Sequence, residues 1–259
     1  MDWVKPNRIV NIVEMAAQII LQVYYSDDFD IKNKDDNSPL TIADKRANKY
    51  ICEELKKYYP NVKIISEENK NEEYEQRKEY EWAWLVDPLD GTKEFIKKNG
   101  EFTVNIGLIH NGEPVGGFVN IPVEGKTYFA VKGYGAWLKH KEVLTNLEDI
   151  RLDNAERSKK VIASRSHMND ETREFLNQIG NPEIVSVGSS IKILWIADNT
   201  ADIYPRIAPT MEWDTCAAHA ILREIGGKML IYPEMEKELT YNKENLLNPY
   251  FVAQFLDFK

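Results

Sequence analysis

The most informative segment of the chain runs Trp84-Leu85-Val86-Asp87-Pro88-Leu89-Asp90-Gly91-Thr92-Lys93-Glu94-Phe95. The apolar run from Trp82 to Val86 is typical of a buried strand, and the residues after Gly91 predict the first turn of a helix. We therefore expect Asp87 and Asp90 to lie on one tight turn, pointing the same way, beside free backbone N–H groups. Carboxylates bind hard cations and N–H groups at a helix start bind phosphate, so the segment favours metal-assisted phosphate chemistry.

An ordinary structural explanation of the same segment stays open. Asp-Pro and Asp-Gly are common turn dipeptides, and Asp90 alone could cap the predicted helix. Further acids at the ends of predicted elements are Asp44, Glu67, Glu68 and Asp214. Each of them by itself is a good helix starter or loop residue. A hard-ion site needs several oxygen ligands from separate elements, and this set would supply them.

Composition limits the classes of function. The chain has 259 residues, of which 43% are hydrophobic and 29% charged, as in ordinary globular proteins. No apolar run approaches the ~20 residues of a membrane span, and no export signal is visible, so we expect a cytoplasmic protein. Two cysteines make no disulfide framework, and the four histidines are not spaced like zinc ligands. The net charge of −9 disfavours nucleic-acid polymers but allows a small anionic substrate.

The apolar spacing predicts two halves of different architecture. Amphipathic helices are expected over residues 7–26 and 43–58, followed by strands that include a hairpin turn at Asn111-Gly112. The polar stretch between the second helix and the central segment is predicted to be a solvated loop or surface helix from Glu72 onward. After about residue 155, short strands alternate with helices. We therefore predict an N-terminal α+β domain over residues 1–155 with an antiparallel sheet, and a C-terminal α/β domain over 156–259 with a mixed sheet.

Three segments carry a family resemblance: Ile65-Ser66-Glu67-Glu68, Trp84–Thr92 and Trp213-Asp214. They resemble the metal-site signatures of the inositol monophosphatase-like superfamily, whose members are magnesium-dependent, lithium-sensitive phosphatases. The resemblance extends over nearly the whole chain. It implies a layered α-β-α-β-α sugar-phosphatase-like fold, with most metal ligands in the first half and the last one in the second.

Five more segments narrow the resemblance: Gly91-Thr92-Lys93-Glu94-Phe95-Ile96, Asn99-Gly100-Glu101-Phe102-Thr103-Val104-Asn105, Ser164-Arg165-Ser166-His167, Gly188-Ser189-Ser190-Ile191-Lys192 and Tyr204-Pro205-Arg206. They resemble the 3'(2'),5'-bisphosphate nucleotidase branch, whereas inositol monophosphatases tend to carry Thr-Asn-Phe after the Gly-Thr. Cys216 and Ala218 stand where the branch usually has Ala and Gly. We expect slightly altered helix packing from these two changes and no lost ligand.

The resemblance implies a set of metal ligands and a mechanism. The implied ligands of one Mg²⁺ are Glu67, Asp87 and the Leu89 carbonyl, with Thr92 or water, and those of a second are Asp87, Asp90 and Asp214. A third ion is left open, and Mn²⁺ could substitute. Two ions about 4 Å apart can clamp both the attacking and the leaving oxygen of an in-line displacement. Thr92, oriented by Asp44, would position the metal-activated water, so no covalent nucleophile is needed.

The implied substrate is 3'-phosphoadenosine 5'-phosphate, hydrolysed to AMP and phosphate. Its 3'-phosphate would lie on the metals, cradled by the N–H groups of Gly91 and Thr92. Its second phosphate needs cationic or hydroxyl donors away from the metals. The positions that match the branch are His167, Ser189, Lys192 and Arg206. Taken one by one, such lysines and arginines are usually solvated surface charges.

Two other functions stay open. An inositol or sugar-phosphate monophosphatase belongs to the same class of enzyme, and Lys93-Glu94 and Lys192 argue against it. A non-catalytic phosphonucleotide-binding module belongs to another class, and the retained carboxylates and Thr92 argue against it. The expected partner is a small phosphorylated nucleotide, without a nucleic-acid polymer or a membrane span, and the oligomeric state is left open.

Overall fold

The computed structural model describes residues 1–26, 32–33, 39–151, 160–163, 169–180 and 182–255. Its helices are α1 (Pro6–Tyr24), α2 (Ile42–Tyr58), α3 (Tyr74–Arg77), α4 (Thr92–Ile96), α5 (Leu147–Arg151), α6 (Asp170–Gln178), α7 (Ile191–Ala197) and α8 (Glu212–Glu224). Its strands are β1 (Lys32–Asn33), β2 (Pro39–Leu40), β3 (Lys63–Ser66), β4 (Trp82–Asp90), β5 (Thr103–His110), β6 (Glu113–Ile121), β7 (Lys126–Val131), β8 (Ala136–His140), β9 (Val143–Asn146), β10 (Lys160–Ile162), β11 (Glu183–Val185), β12 (Ile203–Arg206), β13 (Lys228–Ile231) and β14 (Phe251–Gln254).

The larger sheet has seven strands in chain order, from β3 to β9. Its pairs are antiparallel except β3 with β4, which run parallel. The predicted hairpin between β5 and β6 is confirmed, because Asn111 and Gly112 both have positive φ and connect His110 to its partner Glu113. Positive φ at both central residues is the geometry that suits the twist of a two-residue hairpin.

The smaller sheet has five strands in the order β11-β10-β12-β14-β13. The first three are parallel, and β14 runs antiparallel to both of its neighbours. This is the mixed sheet expected in the second half. The small β1–β2 pair forms a separate two-stranded ribbon.

Helices and sheets alternate in layers. One face of the larger sheet packs against α1 and α2 through a core that includes Ile20, Leu55 and Phe118. Its other face packs on α8, which contacts α7, and this second core continues onto the smaller sheet. A third core, which includes Phe175 and Val252, joins α6 to the outer face of the smaller sheet. The order is therefore α-β-α-β-α, as the resemblance implied.

The contact between α8 and the larger sheet depends on glycine. A Cβ atom built on Gly117 would lie 1.9 Å from the carbonyl oxygen of Ala217, and one on Gly107 would lie 2.6 Å from Cys216 Sγ. Only residues without a side chain allow so close an approach between helix and strands. The small residues of α8 are therefore explained by its packing, and Cys216 is accommodated directly above Gly107.

Several expectations about single elements were wrong. Strand β4 does not end at Val86 but continues to Asp90. The polar stretch from Glu72 onward contains the short helix α3, which the prediction allowed, but Arg77 in it is 4% exposed, so the stretch is not solvated throughout. The sequence reasoning also missed β8, β9, α5 and β14. The boundary between two domains near residue 155 stays a prediction.

None of the helices in the described part of the chain is both long enough and apolar enough to span a membrane.

Candidate active site

The end of β4 presents the two central carboxylates. Asp87 pairs with Asn105 and Asp90 pairs with Thr103, and the register shifts between the two pairs. Pro88 lies in this irregular stretch, as expected for a residue that cannot donate to a strand ladder. Asp87 Oδ1 accepts a hydrogen bond from the N–H of Leu89 at 3.0 Å, which holds the bulge together.

Asp90 does not cap the following helix, so the simple structural explanation of this residue fails. The N-cap of α4 is Gly91, with φ of 94°, and no side chain caps the helix. Asp90 Oδ2 instead accepts a hydrogen bond of 2.6 Å from the N–H of Ser190, one hundred residues along the chain. Asp90 therefore joins the first half of the chain to the turn before α7.

The predicted acids from separate elements form one electrostatic cluster. Burial raises the pKa of Asp87 well above its ordinary value, and Glu67, Asp90 and Asp214 raise it further. Asp87 also shares a hydrogen bond with Glu67. The pKa of Asp214 is raised by burial and then by Asp90, while burial raises that of Asp90 to about 6. A cluster of buried carboxylates that repel one another is stabilised by a bound cation.

The donor atoms of this cluster fit a hard cation. They are carboxylate oxygens, with the carbonyl of Leu89 close by, and such ligands suit Mg²⁺ or Mn²⁺ better than softer metals. Among the residues that the structure describes, no three His, Cys, Asp or Glu side chains already stand in the geometry of a metal site. The chemistry of the donors and their mutual repulsion thus carry the assignment.

Asp44 and Thr92 meet beside the cluster, as predicted. Asp44 lies in the first turn of α2, where its Oδ2 accepts hydrogen bonds from the N–H (2.7 Å) and the hydroxyl (2.5 Å) of Thr41. Its other oxygen, Oδ1, is 3.4 Å from Thr92 Oγ1. Thr92 Oγ1 is also 3.3 Å from the carbonyl oxygen of Leu89. Asp44 therefore caps its helix and orients a hydroxyl at the same time.

Asp214 is held at the beginning of α8. Its Oδ2 accepts a hydrogen bond of 2.8 Å from the N–H of Met211. The buried amide of Asn248 secures the same turn by donating to Met211 O at 2.8 Å and to Thr215 Oγ1 at 3.0 Å. Asp214, like Asp44, thus stabilises the start of its helix with one carboxylate oxygen, and this role is compatible with a place in the predicted metal site.

A cavity of about 650 Å³ opens beside these acids. Six of the predicted site residues line it: Asp90, Gly91, Ser189, Lys192, Arg206 and Asp214. The remaining described candidates, Glu67, Asp87, Leu89, Thr92 and Asp44, are not part of its lining. Acidic and basic side chains therefore line the cavity together: Asp90, Glu94, Glu101 and Asp214 are acidic, and Lys93, Lys97, Lys192 and Arg206 are basic.

The two predicted phosphate-binding cations, Lys192 and Arg206, differ in their surroundings. Lys192 is half-buried and its Nζ donates to the carbonyl oxygen of Ser189 at 3.1 Å. Burial lowers its pKa to about 8, against the opposing effect of Asp90. Arg206 donates through Nη2 to Pro209 O at 2.9 Å, while its buried Nε has no partner among the described residues. The structure thus brings both cations to one cavity, whereas the predicted His167 lies outside the described residues.

Sequence reasoning missed the polar residues that hold the Ser190 turn. Ser190 Oγ donates to Asn105 Oδ1 at 2.7 Å, Asn105 Nδ2 donates to Thr103 Oγ1 at 3.0 Å, and Thr103 Oγ1 lies 2.8 Å from Ser190 Oγ. All three residues are buried. Thr103 and Asn105 alternate along an otherwise apolar strand, and this pattern of polar residues on one face could have revealed them.

Comparison with known proteins finds a family and relatives that match nearly the whole chain. The model of the inositol monophosphatase family matches residues 7–250. The chain is 41% identical over 247 residues to the 3'(2'),5'-bisphosphate nucleotidase CysQ of Escherichia coli K12, covering 95% of this chain and 97% of that protein. It is 42% identical over 246 residues to CysQ of Salmonella typhimurium, covering 94% and 97%.

A solved structure has the same architecture along nearly the whole chain. The crystal structure of CysQ from Bacteroides thetaiotaomicron, described as a bacterial member of the inositol monophosphatase family, superposes with a TM-score of 0.83. The two chains are 41% identical, and the match covers 96% of this chain and 97% of that one. This chain therefore belongs to the inositol monophosphatase family.

Proposed function

We propose that this protein is a 3'(2'),5'-bisphosphate nucleotidase that removes the 3'-phosphate of 3'-phosphoadenosine 5'-phosphate, giving AMP and phosphate. The observation that carries the proposal is the cavity shared by Asp90, Asp214, Lys192 and Arg206. The carboxylates of this cavity suit a metal-assisted reaction, and its cationic side chains suit a phosphate that is not cleaved. Relatives with this activity in their name match nearly the full chain.

The proposed metal ligands are Glu67, Asp87, the Leu89 carbonyl, Asp90 and Asp214. They would hold two or three Mg²⁺ ions, with Mn²⁺ as a substitute. When bound, such ions supply Lewis-acid activation of water and of the leaving oxygen. The raised pKa values of Asp87 and Asp214 support the assignment, because an added positive charge would stabilise both ionised side chains.

The proposed roles of the other residues follow from their contacts. Asp44, itself held by Thr41, fixes the Thr92 hydroxyl so that it can orient the attacking water. The N–H groups of Gly91 and Thr92 face the start of a helix and bind the phosphate being cleaved. Ser189, Lys192 and Arg206, with His167, bind the other phosphate.

Product analysis tests the proposal. The enzyme should convert 3'-phosphoadenosine 5'-phosphate into AMP and one equivalent of phosphate with Mg²⁺, and should release none in excess chelator. Formation of adenosine 3'-phosphate instead would place the cleaved phosphate in the wrong subsite. Tight binding of the bisphosphate without any phosphate release would favour a binding module.

A further inference from the structure

A chain of partly buried hydrogen bonds connects the loop after β3, which carries Glu67, to the start of α8, which carries Asp214. We infer that this connection sets the spacing between the two carboxylates and therefore the affinity of the site for its metal ions. It is made by the side chains of Asn71, Arg77, Asn242 and Glu212, which we call the clasp. The inference rests on the proposed function, because it takes Glu67 and Asp214 to be metal ligands.

The first part of the clasp fixes the backbone next to Glu67. The Asn71 side chain makes two hydrogen bonds to the backbone of Ser66: Oδ1 accepts one from the Ser66 N–H at 3.1 Å, and Nδ2 donates one to the Ser66 carbonyl oxygen at 3.0 Å. The carbonyl oxygen of Glu72, the residue after Asn71, accepts a hydrogen bond of 2.9 Å from Arg77 Nε. The turn after β3 is thus attached to the Arg77 guanidinium.

Arg77 then reaches across 165 residues of sequence. Its Nη1 donates to Asn242 Oδ1 at 2.8 Å and to Lys243 O at 3.2 Å, and its Nη2 donates to Glu244 O at 3.1 Å. Asn242 Nδ2 returns a hydrogen bond to the carbonyl oxygen of Arg77 at 2.6 Å. Arg77 is 4% exposed, and the four hydrogen bonds donated by its guanidinium hold two loops in one geometry.

Glu212 completes the connection at the first residue of α8. It is fully buried, and its carboxylate accepts hydrogen bonds from the N–H of Asn242 and from the N–H and Nζ of Lys243. Asp214 follows two residues later in the same helical turn. A shift of the Asn242 loop would therefore move the start of α8 and Asp214 with it.

The clasp positions Glu67 and Asp214 and lies outside the substrate cavity. None of its four residues lines the cavity that contains Lys192 and Arg206. Residues that hold metal ligands from behind commonly affect metal affinity by about 10- to 100-fold when they are replaced. The clasp residues are therefore positioning residues, and their loss should appear in metal binding before it appears in substrate binding.

Asn242 offers a substitution that removes the side chain without straining the backbone. Its φ is 61°, a left-handed conformation that glycine adopts readily. Asn242→Gly loses both contacts with Arg77 and keeps the backbone N–H that donates to Glu212. Arg77→Lys is the second variant, since it keeps the charge and loses the planar fork. Tyr128→Phe is the matched control, because it removes a partly buried 2.8 Å hydrogen bond to Asp198 that belongs to neither the clasp nor the cavity.

Calorimetric titration of the substrate-free, full-length proteins with Mg²⁺ tests the inference. We expect Asn242→Gly and Arg77→Lys to weaken Mg²⁺ binding about tenfold or more. The Mg²⁺ concentration needed for half-maximal activity should rise by the same factor. The KM for the substrate at saturating Mg²⁺ should stay within about twofold of the wild type. Tyr128→Phe should lower Tm without weakening Mg²⁺ binding. Clasp variants with a lowered Tm that bind Mg²⁺ as tightly as the wild type would overturn the inference. If the wild type binds Mg²⁺ but releases no phosphate from the bisphosphate, the proposed function is wrong. The Mg²⁺ titration of the clasp variants against the wild type still tests the inference in that case.

Discussion

Thr92 Oγ1 lies 3.4 Å from Asp44 Oδ1 and 3.3 Å from the carbonyl oxygen of Leu89, so one hydroxyl connects the start of α2 to the end of β4. The other oxygen of Asp44 is occupied by Thr41. Burial raises the pKa of Asp44 to about 6, against the lowering effect of the Thr41 hydrogen bonds. Within the candidate site, Asp44 and Thr92 are therefore the carboxylate and hydroxyl arranged to accept a proton from a water molecule or orient it.

Removing the Thr92 hydroxyl should mainly reduce turnover. Thr92→Val keeps the shape of the side chain, and we expect kcat to fall by about 10²- to 10⁴-fold, the usual contribution of a positioned proton acceptor. Thr92→Ser keeps the hydroxyl and should retain activity within about tenfold of wild type. Steady-state kinetics at saturating Mg²⁺ measures both variants. Equal activity of Thr92→Val and the wild type would remove Thr92 from the mechanism.

Neutralising Asp90 should abolish turnover without unfolding the protein. Asp90→Asn changes little volume, and the amide oxygen can still accept the hydrogen bond from the Ser190 N–H. Because Asp90 and Asp214 repel each other, the variant in chelator should have a Tm at least as high as the wild type, and Mg²⁺ should raise that Tm less. Thermal melts with and without Mg²⁺ test this. Turnover within threefold of wild type would contradict the metal assignment.

Losing the Lys192 charge should impair the bisphosphate selectively. Lys192→Ala should raise KM chiefly, because a phosphate that is not cleaved is bound alike in the ground and transition states. The loss of one charge-assisted contact corresponds to roughly 1.5–3 kcal/mol, or about 10- to 150-fold in kcat/KM. Lys56, an exposed lysine of α2 that does not line the cavity, supplies the control variant Lys56→Ala, which should leave kcat/KM unchanged.

Inositol 1-phosphate separates the possible roles of Lys192. It has a single phosphate, so its kcat/KM should be unchanged by Lys192→Ala. Equal losses on both substrates would show that Lys192 serves the metal site, to which its interaction with Asp90 brings it close. No loss on either substrate would make it an ordinary surface lysine.

His219 should make the fold less stable in acid. It is fully buried between Tyr241 OH at 2.8 Å and Glu238 Oε2 at 3.1 Å, and burial lowers its pKa below the ordinary value. The unfolded chain then binds a proton near pH 6.5 that the folded chain does not bind, so stability is present above that pH and is lost as the pH falls through it. Glu238, whose pKa is lowered by the His219 hydrogen bond, acts in the same direction at lower pH.

Urea unfolding at several pH values measures this effect. Between about pH 7 and 5.5, the free energy of unfolding of wild type should decline more steeply than that of His219→Gln, by up to about 1.4 kcal/mol per pH unit. Parallel curves for the two proteins would show that His219 titrates alike in both states.

The approach of α8 to the larger sheet can be tested at two adjacent glycines. The Cβ of Gly117→Ala would meet Ala217 O at 1.9 Å, so we expect the variant to lose about 1–3 kcal/mol of unfolding free energy or more, and to bind Mg²⁺ less well as α8 shifts. Gly116→Ala is the control, because its Cβ would lie 3.2 Å from Leu108 Cβ and needs only a small adjustment. Urea unfolding that finds Gly117→Ala as stable as Gly116→Ala would contradict the close packing.

The sequence predicted the parts of this protein that depend on local patterns. Apolar spacing located α1 and α2, and the motif around Asp87 and Asp90 pointed to the candidate site. The edge strand β9 was missed because Val143 and Leu144 are exposed and do not alternate with polar residues in a buried pattern. The stretch from Glu72 onward was predicted to be solvated, and the burial of Arg77 within it was missed because its partner Asn242 is 165 residues away. Such pairings leave no periodic signal in the chain.

The rate of phosphate release from a panel of substrates tests the central claim most directly. The panel contains 3'-phosphoadenosine 5'-phosphate, its sulfated relative, inositol 1-phosphate, AMP and fructose 1,6-bisphosphate, each measured with Mg²⁺ and with excess chelator. We predict Mg²⁺-dependent hydrolysis with the highest kcat/KM for 3'-phosphoadenosine 5'-phosphate and little release from AMP. A higher kcat/KM for inositol 1-phosphate or fructose 1,6-bisphosphate, or undiminished release in chelator, would contradict it.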